Sequence, residues 1–225
     1  MSEGPCVKCD VPNCDKPNTV NTMNNDPANQ QKKVRQQWDE AAANFDNEPD
    51  HGLQDAHVQA AWHDLLMRLM PMPPAHILDI GCGTGSLALL LSQMGHDVIG
   101  SDFSVQMLTY ARYKLTSAGY SLNWLQMDAA HPALGKTQFD VVLCRHVLWA
   151  LPQPQYVLQR WQSLLRPGGR MVLIEGYWHT KAGLHASDLL AMLPDGMEST
   201  TYFLSDNAAL WDNTVSDERY AIVAI

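Results

Sequence analysis

No stretch of this sequence reaches the ~18 consecutive apolar residues that a membrane-crossing helix requires, and no apolar run follows a basic N-terminal start as it would in a secretory signal. A cytoplasmic protein is expected, in a reducing setting where its five cysteines form no disulfide framework. Basic side chains are scarce as well. Fifteen Lys+Arg against 24 Asp+Glu give a formal net charge of −9, a field that repels phosphate backbones and anionic lipid. Neither nucleic acid nor a membrane is therefore expected as a partner. Internal repeats are absent, and 225 residues, 46% of them hydrophobic, suffice for one large core and fall short of two full domains.

A complete metal motif is also missing. Cys6, Cys9 and Cys14 offer a C-x-x-C pair and a third thiol, but the nearest histidine is His51 and only Asp10 or Asp15 is local, whereas a closed zinc site needs four ligands. No metal is expected. Residues 1–31, rich in Asn, Pro and Asp and poor in aromatics, read as a disordered leader.

What is present is organised by hydrophobic periodicity. Val34, Trp38, Ala41, Ala42 and Phe45 recur at helical spacing, and after the break "DNEPDHG" so do Val58, Ala61, Trp62, Leu65, Leu66 and Leu69. Residues 32–73 are thus expected to be helices forming a cap or lid. Residues 74–225 alternate strand-like and helix-like segments: "HILDI", "DVIGSD", "LNWLQMD", "FDVVLC" and "RMVLIE" separated by amphipathic stretches, followed by "STTYFLS" and "RYAIVAI". The runs "VVLC" and "MVLI" suit strands covered on both faces. The expected fold is α/β, a doubly wound, mostly parallel seven-stranded sheet with an antiparallel edge strand.

The densest signal is "HILDIGCGTGSLALLL", residues 76–91, where Gly81, Gly83 and Gly85 interrupt an apolar run between a strand and a helix. Such a loop lets backbone pass close to a ligand. A dinucleotide fingerprint would place its third glycine at position 86, where this chain has Ser86. Asp79, two residues before the turn, puts negative charge where a pyrophosphate would lie and where a cation would be welcome. Asp102 ends the second strand and suits a ribose of either kind of ligand.

With "LDIGCGTG" at 78–85, "VIGSD" at 98–102, "MDAA" at 127–130, "FDVVLCRHVLWAL" at 139–151 and "LLRPGGRMVLIE" at 164–175 in order, the sequence resembles the class I S-adenosylmethionine-dependent methyltransferases over roughly residues 35–225. That resemblance implies a Rossmann-like sheet and S-adenosylmethionine as the cofactor. It implies that Gly81, Cys82, Gly83 and Gly85 pass under the methionine part of the donor, that Asp79 orients the loop or faces the ammonium, and that Asp102 holds the ribose hydroxyls. Phe103 would lie beside the adenine, Asp128 and Ala129 would bond it, the main chain around Cys144 and Arg145 would border the sulfonium, and Met107 belongs to the same cofactor-binding set. Met127 stands where glycine is common in the family.

Methyl transfer from a sulfonium needs alignment and, for a protonated acceptor, a base; His51, His146 and His179 are the candidates. Trp38, Phe45, Trp149, Tyr177 and Trp178, with Arg145 for an acidic group, are candidates to wall an acceptor pocket. The family's Asn- or Asp-Pro-Pro-Tyr motif is replaced by "CRHV", which favours a small-molecule methyl acceptor. Two other readings stay open at this point: a non-catalytic S-adenosylmethionine-binding or regulatory module, and an NAD-dependent oxidoreductase.

Overall fold

The computed structural model describes residues 27–135 and 138–225; the Cys6, Cys9 and Cys14 cluster lies outside the described residues. The chain runs α1 (Pro27–Ala41), a 3₁₀ turn (Phe45–Asn47), α2 (Pro49–Gly52), α3 (Ala56–Leu69), β1 (His76–Ile80), α4 (Ser86–Gln93), β2 (Asp97–Asp102), α5 (Val105–Ser117) and β3 (Asn123–Gln126). It continues with β4 (Phe139–Arg145), α6 (Pro154–Gln162), β5 (Leu165–Tyr177), α7 (Ala186–Met192), β6 (Ser199–Phe203) and β7 (Glu218–Ala224).

The seven strands form one sheet in the order β3-β2-β1-β4-β5-β7-β6. The contiguous pairs from β3 to β5 are parallel, and β7 runs antiparallel between β5 and the edge strand β6. The doubly wound α/β sheet expected from the sequence is present, with its antiparallel strand one place in from the edge. Strand order reverses between β1 and β4, which places the ligand crevice outside the carboxyl ends of those strands.

Alternation along the central strands explains why both sheet faces are dry. Ile77, Val141, Leu143, Val172 and Ile174 pack on one side with α3, α4 and Trp211. Leu78, Val142, Cys144, Met171 and Leu173 pack on the other with α6 and α7. A period of two in strands buried on both faces yields the continuous apolar runs seen in the sequence. Helix starts are fixed locally. The Asp55 side chain accepts from His57 N (2.7 Å) and Val58 N (3.2 Å) to cap α3, and Ser104 Oγ accepts from Met107 N (3.0 Å) to cap α5.

Three sequence expectations are corrected. Helix α1 begins at Pro27, so residues 27–31 belong to a helix and not to the leader. "PDHG", expected as a break, is the helical turn α2: Pro49 sits at the first position with its φ already helical, and Leu53 ends the turn in the left-handed region (φ 51°). The strand expected as "RMVLIE" begins earlier, at Leu165: "RPGG" at 166–169 is an irregular start to β5, with Leu165 paired to Phe139 before the register shifts to Arg170 and Val141. Among the described residues no helix is long and apolar enough to cross a membrane.

Leu66 is fully buried under the sheet while Met72 is 84% exposed. Leu66→Ala is expected to cost about 2–5 kcal/mol through lost burial and a residual cavity, and Met72→Ala less than about 0.5 kcal/mol; equilibrium urea denaturation of the two variants checks both.

Candidate active site

Between β1 and α4 the chain turns through three left-handed glycines, Gly81 (φ 69°), Gly83 (φ 54°) and Gly85 (φ 79°). Any other residue would be strained there. Side chains also crowd them. A Cβ on Gly81 would come 2.3 Å from Val147 Cγ2, and one on Gly83 3.3 Å from Phe45 Cε1. The turn hangs from β2: Gly81 N and Cys82 N both donate to Ser101 O (2.8 and 2.9 Å), and Gly83 N donates to Asp102 Oδ2 (2.9 Å).

Asp102 therefore does the loop-orienting work expected of Asp79. Its Oδ1 also accepts from Ser104 N (2.8 Å), and burial pushes its carboxyl up to about 6 against the pull of those amides. Asp79, 2% exposed, leaves Oδ2 buried with no hydrogen-bond partner among the described residues. Desolvation lifts its carboxyl to about 7, opposed by Arg145 and aided by Asp102. A buried acceptor at a loop with room for backbone but not for side chains fits the ammonium end of S-adenosylmethionine.

The rest of the implied cofactor set is scattered in role. Asp128 Oδ1 accepts from Ala130 N (2.9 Å) and its Oδ2 from Gln31 of α1 (2.7 Å), so α1 reaches the segment after β3. Phe103 lies under the Arg35 guanidinium, 6.0 Å from its centroid. Met107, Met127, Ala129 and Cys144 are buried, and the Cys82 thiol turns toward Gly100. Desolvation raises both thiols, Cys82 and Cys144, well above the ordinary range, so neither is a nucleophile.

The acceptor side is built by the 3₁₀ turn, α2 and the segment after β4. Asp46 bridges Lys114 Nζ (2.8 Å) and the Thr84 hydroxyl, tying the turn to the glycine loop. Phe45 then covers Gly83 and stacks on His51 at 4.4 Å, with Trp38 against its edge at 6.3 Å. His146, left-handed at φ 56°, meets Trp178 edge-on at 5.2 Å and Trp211 at 6.5 Å; Trp149 packs on Trp178 at 5.4 Å. Glu175, fully buried at the end of β5, holds this strained turn by accepting from Val147 N (3.0 Å) and Leu148 N (2.7 Å).

Two of the three candidate histidines converge. His51 and His146 bring one ring nitrogen each, with an Asp50 oxygen, within 4.8 Å of one another, and His51 Nδ1 and His146 Nε2 are buried without partners among the described residues. Burial keeps both imidazoles below their usual pKa, His146 the more so, with Arg145 pushing in the same direction; Asp50 opposes it at His51. The same positive field opposes a metal cation here, and the Asp50 carboxylate lies 3.6 Å from Arg219. His179 stands apart: 68% exposed, 3.7 Å from Asp217. Tyr177 also leaves the cluster, stacking on His185 at 3.9 Å. Asp46, Asp50, Trp211 and Glu175 were not among the sequence candidates, since no local spacing marks them.

Asp79 supplies a test independent of ligand. Its folded carboxyl titrates near 7 against ~3.9 for an unfolded chain, so the folded state binds the extra proton and stability falls as pH rises through that window. Asp79→Asn is expected to raise the urea midpoint clearly more at pH 8 than at pH 5; an equal gain at both values contradicts the assignment.

Comparison with known proteins matches this geometry. A family described as a methyltransferase domain matches residues 78–173. The ubiquinone biosynthesis O-methyltransferase of Colwellia psychrerythraea strain 34H is 28% identical over 195 residues, covering 81% of this chain and 78% of that protein. The enzyme of the same name from Aliivibrio fischeri strain ES114 is 32% identical over 152 residues, covering 64% of each, so the chain spans just under two thirds of that relative. Among solved structures, magnesium protoporphyrin IX methyltransferase from Synechocystis PCC 6803 with bound S-adenosylmethionine superposes with a TM-score of 0.58 at 25% identity, covering 75% of this chain and 79% of that one. With the strand order, the left-handed glycine turn and the Asp79 Oδ2 left without a partner among the described residues, these likenesses support a class I S-adenosylmethionine-dependent methyltransferase.

Proposed function

We propose that the protein methylates a nucleophilic atom of a small molecule held between the glycine turn and the His51/His146 wall. The single observation behind this reading is the pair of buried imidazole nitrogens with no hydrogen-bond partner among the described residues, on two histidines that converge beside the glycine loop. Bound S-adenosylmethionine supplies an electrophilic methyl group on a good leaving group. Gly81, Gly83 and Gly85 would pass beneath its methionine part, Asp79 would meet the ammonium, and Asp102 would reach the ribose hydroxyls. Phe45 and Val147 rest against Gly83 and Gly81 and would have to give way.

Alignment of the acceptor against the methyl group is the main contribution, of the order of ~7–11 kcal/mol when geometry is good. Trp149, Trp178 and Trp38 would wall the acceptor, and His51 or His146, held neutral, would take its proton. The segment α1 to α3 is read as a cap over the core domain, latched by Asp39 to Ser104 Oγ (2.6 Å) and by Asp46 to Lys114. Free thiols at Cys82 and Cys144 suit a reducing, cytoplasmic setting. A dinucleotide is disfavoured because its phosphates would face the buried carboxylate of Asp79.

Two measurements test the reading. Calorimetry with S-adenosylhomocysteine is expected to show stoichiometric binding to the wild type and its loss in Gly81→Ala. Gly168→Ala, equally left-handed at φ 79° but open within 4 Å, should keep it; equal loss in both sinks the cradle. In a screen of phenols, amines and thiols with labelled donor, the wild type is expected to form methylated product. His146→Ala should lower kcat about 10²-fold or more and His179→Ala should not change it. Because both imidazoles are shifted down, the rate should hold as pH falls through 6.5, where an ordinary histidine would be half protonated.

A further inference from the structure

Arg145 is poorly explained by the protein alone. It ends β4 at the centre of the crevice, and its guanidinium lies 4.9 Å over the Trp62 ring. Of five N–H donors, one is used among the described residues: Nη1 donates to the backbone carbonyl of Asp50 (2.6 Å). The Arg and Lys ion pairs among the described residues are Lys114–Asp46, Arg166–Asp140, Arg219–Asp50 and Arg219–Asp217, and none includes Arg145. The neighbouring cation differs. Arg219 lies 4.5 Å over Trp211, but its Nε and Nη2 donate to Asp217 (2.9 and 3.3 Å).

The charges around Arg145 decide what it can hold. Asp50 and Asp217 are committed to Arg219, and Asp46 to Lys114. Asp79 remains, and in the proposed reading the donor ammonium takes it. The donor brings two positive groups and one carboxylate, so Asp79 matches its net charge, and Arg145 keeps no carboxylate in ion-pair contact among the described residues. One residue on, His146 sits among Trp178 and Trp211, with Trp149 beyond, a surround suited to a flat ring.

Building on the proposed methyl transfer, the geometry points to an acceptor that is a planar ring bearing an oxyanion such as a carboxylate, the anion on Arg145 and the nucleophilic atom at His51 and His146. An arginine with free donors grips a carboxylate through two parallel bonds, which orients the ring as well as binding it. The carboxylate of the donor is the other source of the same chemistry at this position.

Tryptophan fluorescence of the full chain saturated with S-adenosylhomocysteine separates these sources. The wild type is expected to bind 3- or 4-hydroxybenzoate at least tenfold more tightly than phenol, Arg145→Met to reduce that ratio to within twofold, and Arg145→Lys to retain part of it. Calorimetric affinity of each variant for S-adenosylhomocysteine should stay within threefold of the wild type, which also verifies folding. Equal wild-type affinity for hydroxybenzoates and phenol overturns the inference, as does binding of neither by a protein that binds S-adenosylhomocysteine. So does a variant that loses S-adenosylhomocysteine but keeps the preference, since Arg145 would then serve the donor. A wild type that does not bind S-adenosylhomocysteine brings down the underlying reading as well.

Discussion

Everything at the carboxyl end of this sheet is arranged around a backbone that comes too close to its neighbours to carry side chains. The turn from Gly81 to Gly85 is left-handed at all three glycines, and the amides of Gly81, Cys82 and Gly83 are anchored to the end of β2 through Ser101 O and the Asp102 carboxylate. Because β1 and β4 lie at the point where strand order reverses, the turn opens into the crevice and not onto a covered face. The helix α4 that follows is packed by Leu87, Ala88, Leu90 and Leu91 under the sheet, so the turn is fixed at both ends.

Electrostatics adds selectivity to that shape. Asp79 and Asp102 are held in a low-dielectric pocket where ionisation is disfavoured, and a cationic ligand relieves the cost of charging them. Lys114, which burial shifts down against the opposing influence of Asp46, spends its charge on the latch between the 3₁₀ turn and the glycine loop. The N-terminal segment thus closes over the donor loop through polar contacts, Asp46 to Lys114 and Asp39 to Ser104, and through Phe45. Polar latches at a partly exposed surface are weaker than core packing, so this segment is held less firmly than the sheet beneath it.

The sheet was legible from alternation alone: Ile77 and Leu78, or Val141 and Val142, point to opposite faces, and nothing in the tertiary structure overrides that period. The glycine turn and Asp102 were legible for the same local reason. Asp79 was found with two tasks open, orienting the loop or facing the ammonium; only the folded structure shows that Asp102 anchors the loop and that Asp79 Oδ2 has no partner among the described residues. α2 was missed because Pro49 reads equally as a helix stop and as a helix start. The convergence of His51 with His146, nearly a hundred positions apart, depends on that turn. Glu175 and Trp211 are brought in by β5 and by the segment before β7, and long-range packing of this kind leaves no spacing signal. His179 and Tyr177, adjacent in sequence to Trp178, were drawn in by proximity along the chain, but the strand end directs them to a different surface.

The most direct test is a crystal structure with S-adenosylhomocysteine bound. The account predicts the homocysteine running over Gly81–Gly85 with its amine at Asp79 and its ribose at Asp102, and Phe45 and Val147 moved off the glycines. Ligand density elsewhere on the protein, or a crevice in which Phe45 and Val147 keep their contacts with Gly83 and Gly81, would contradict it.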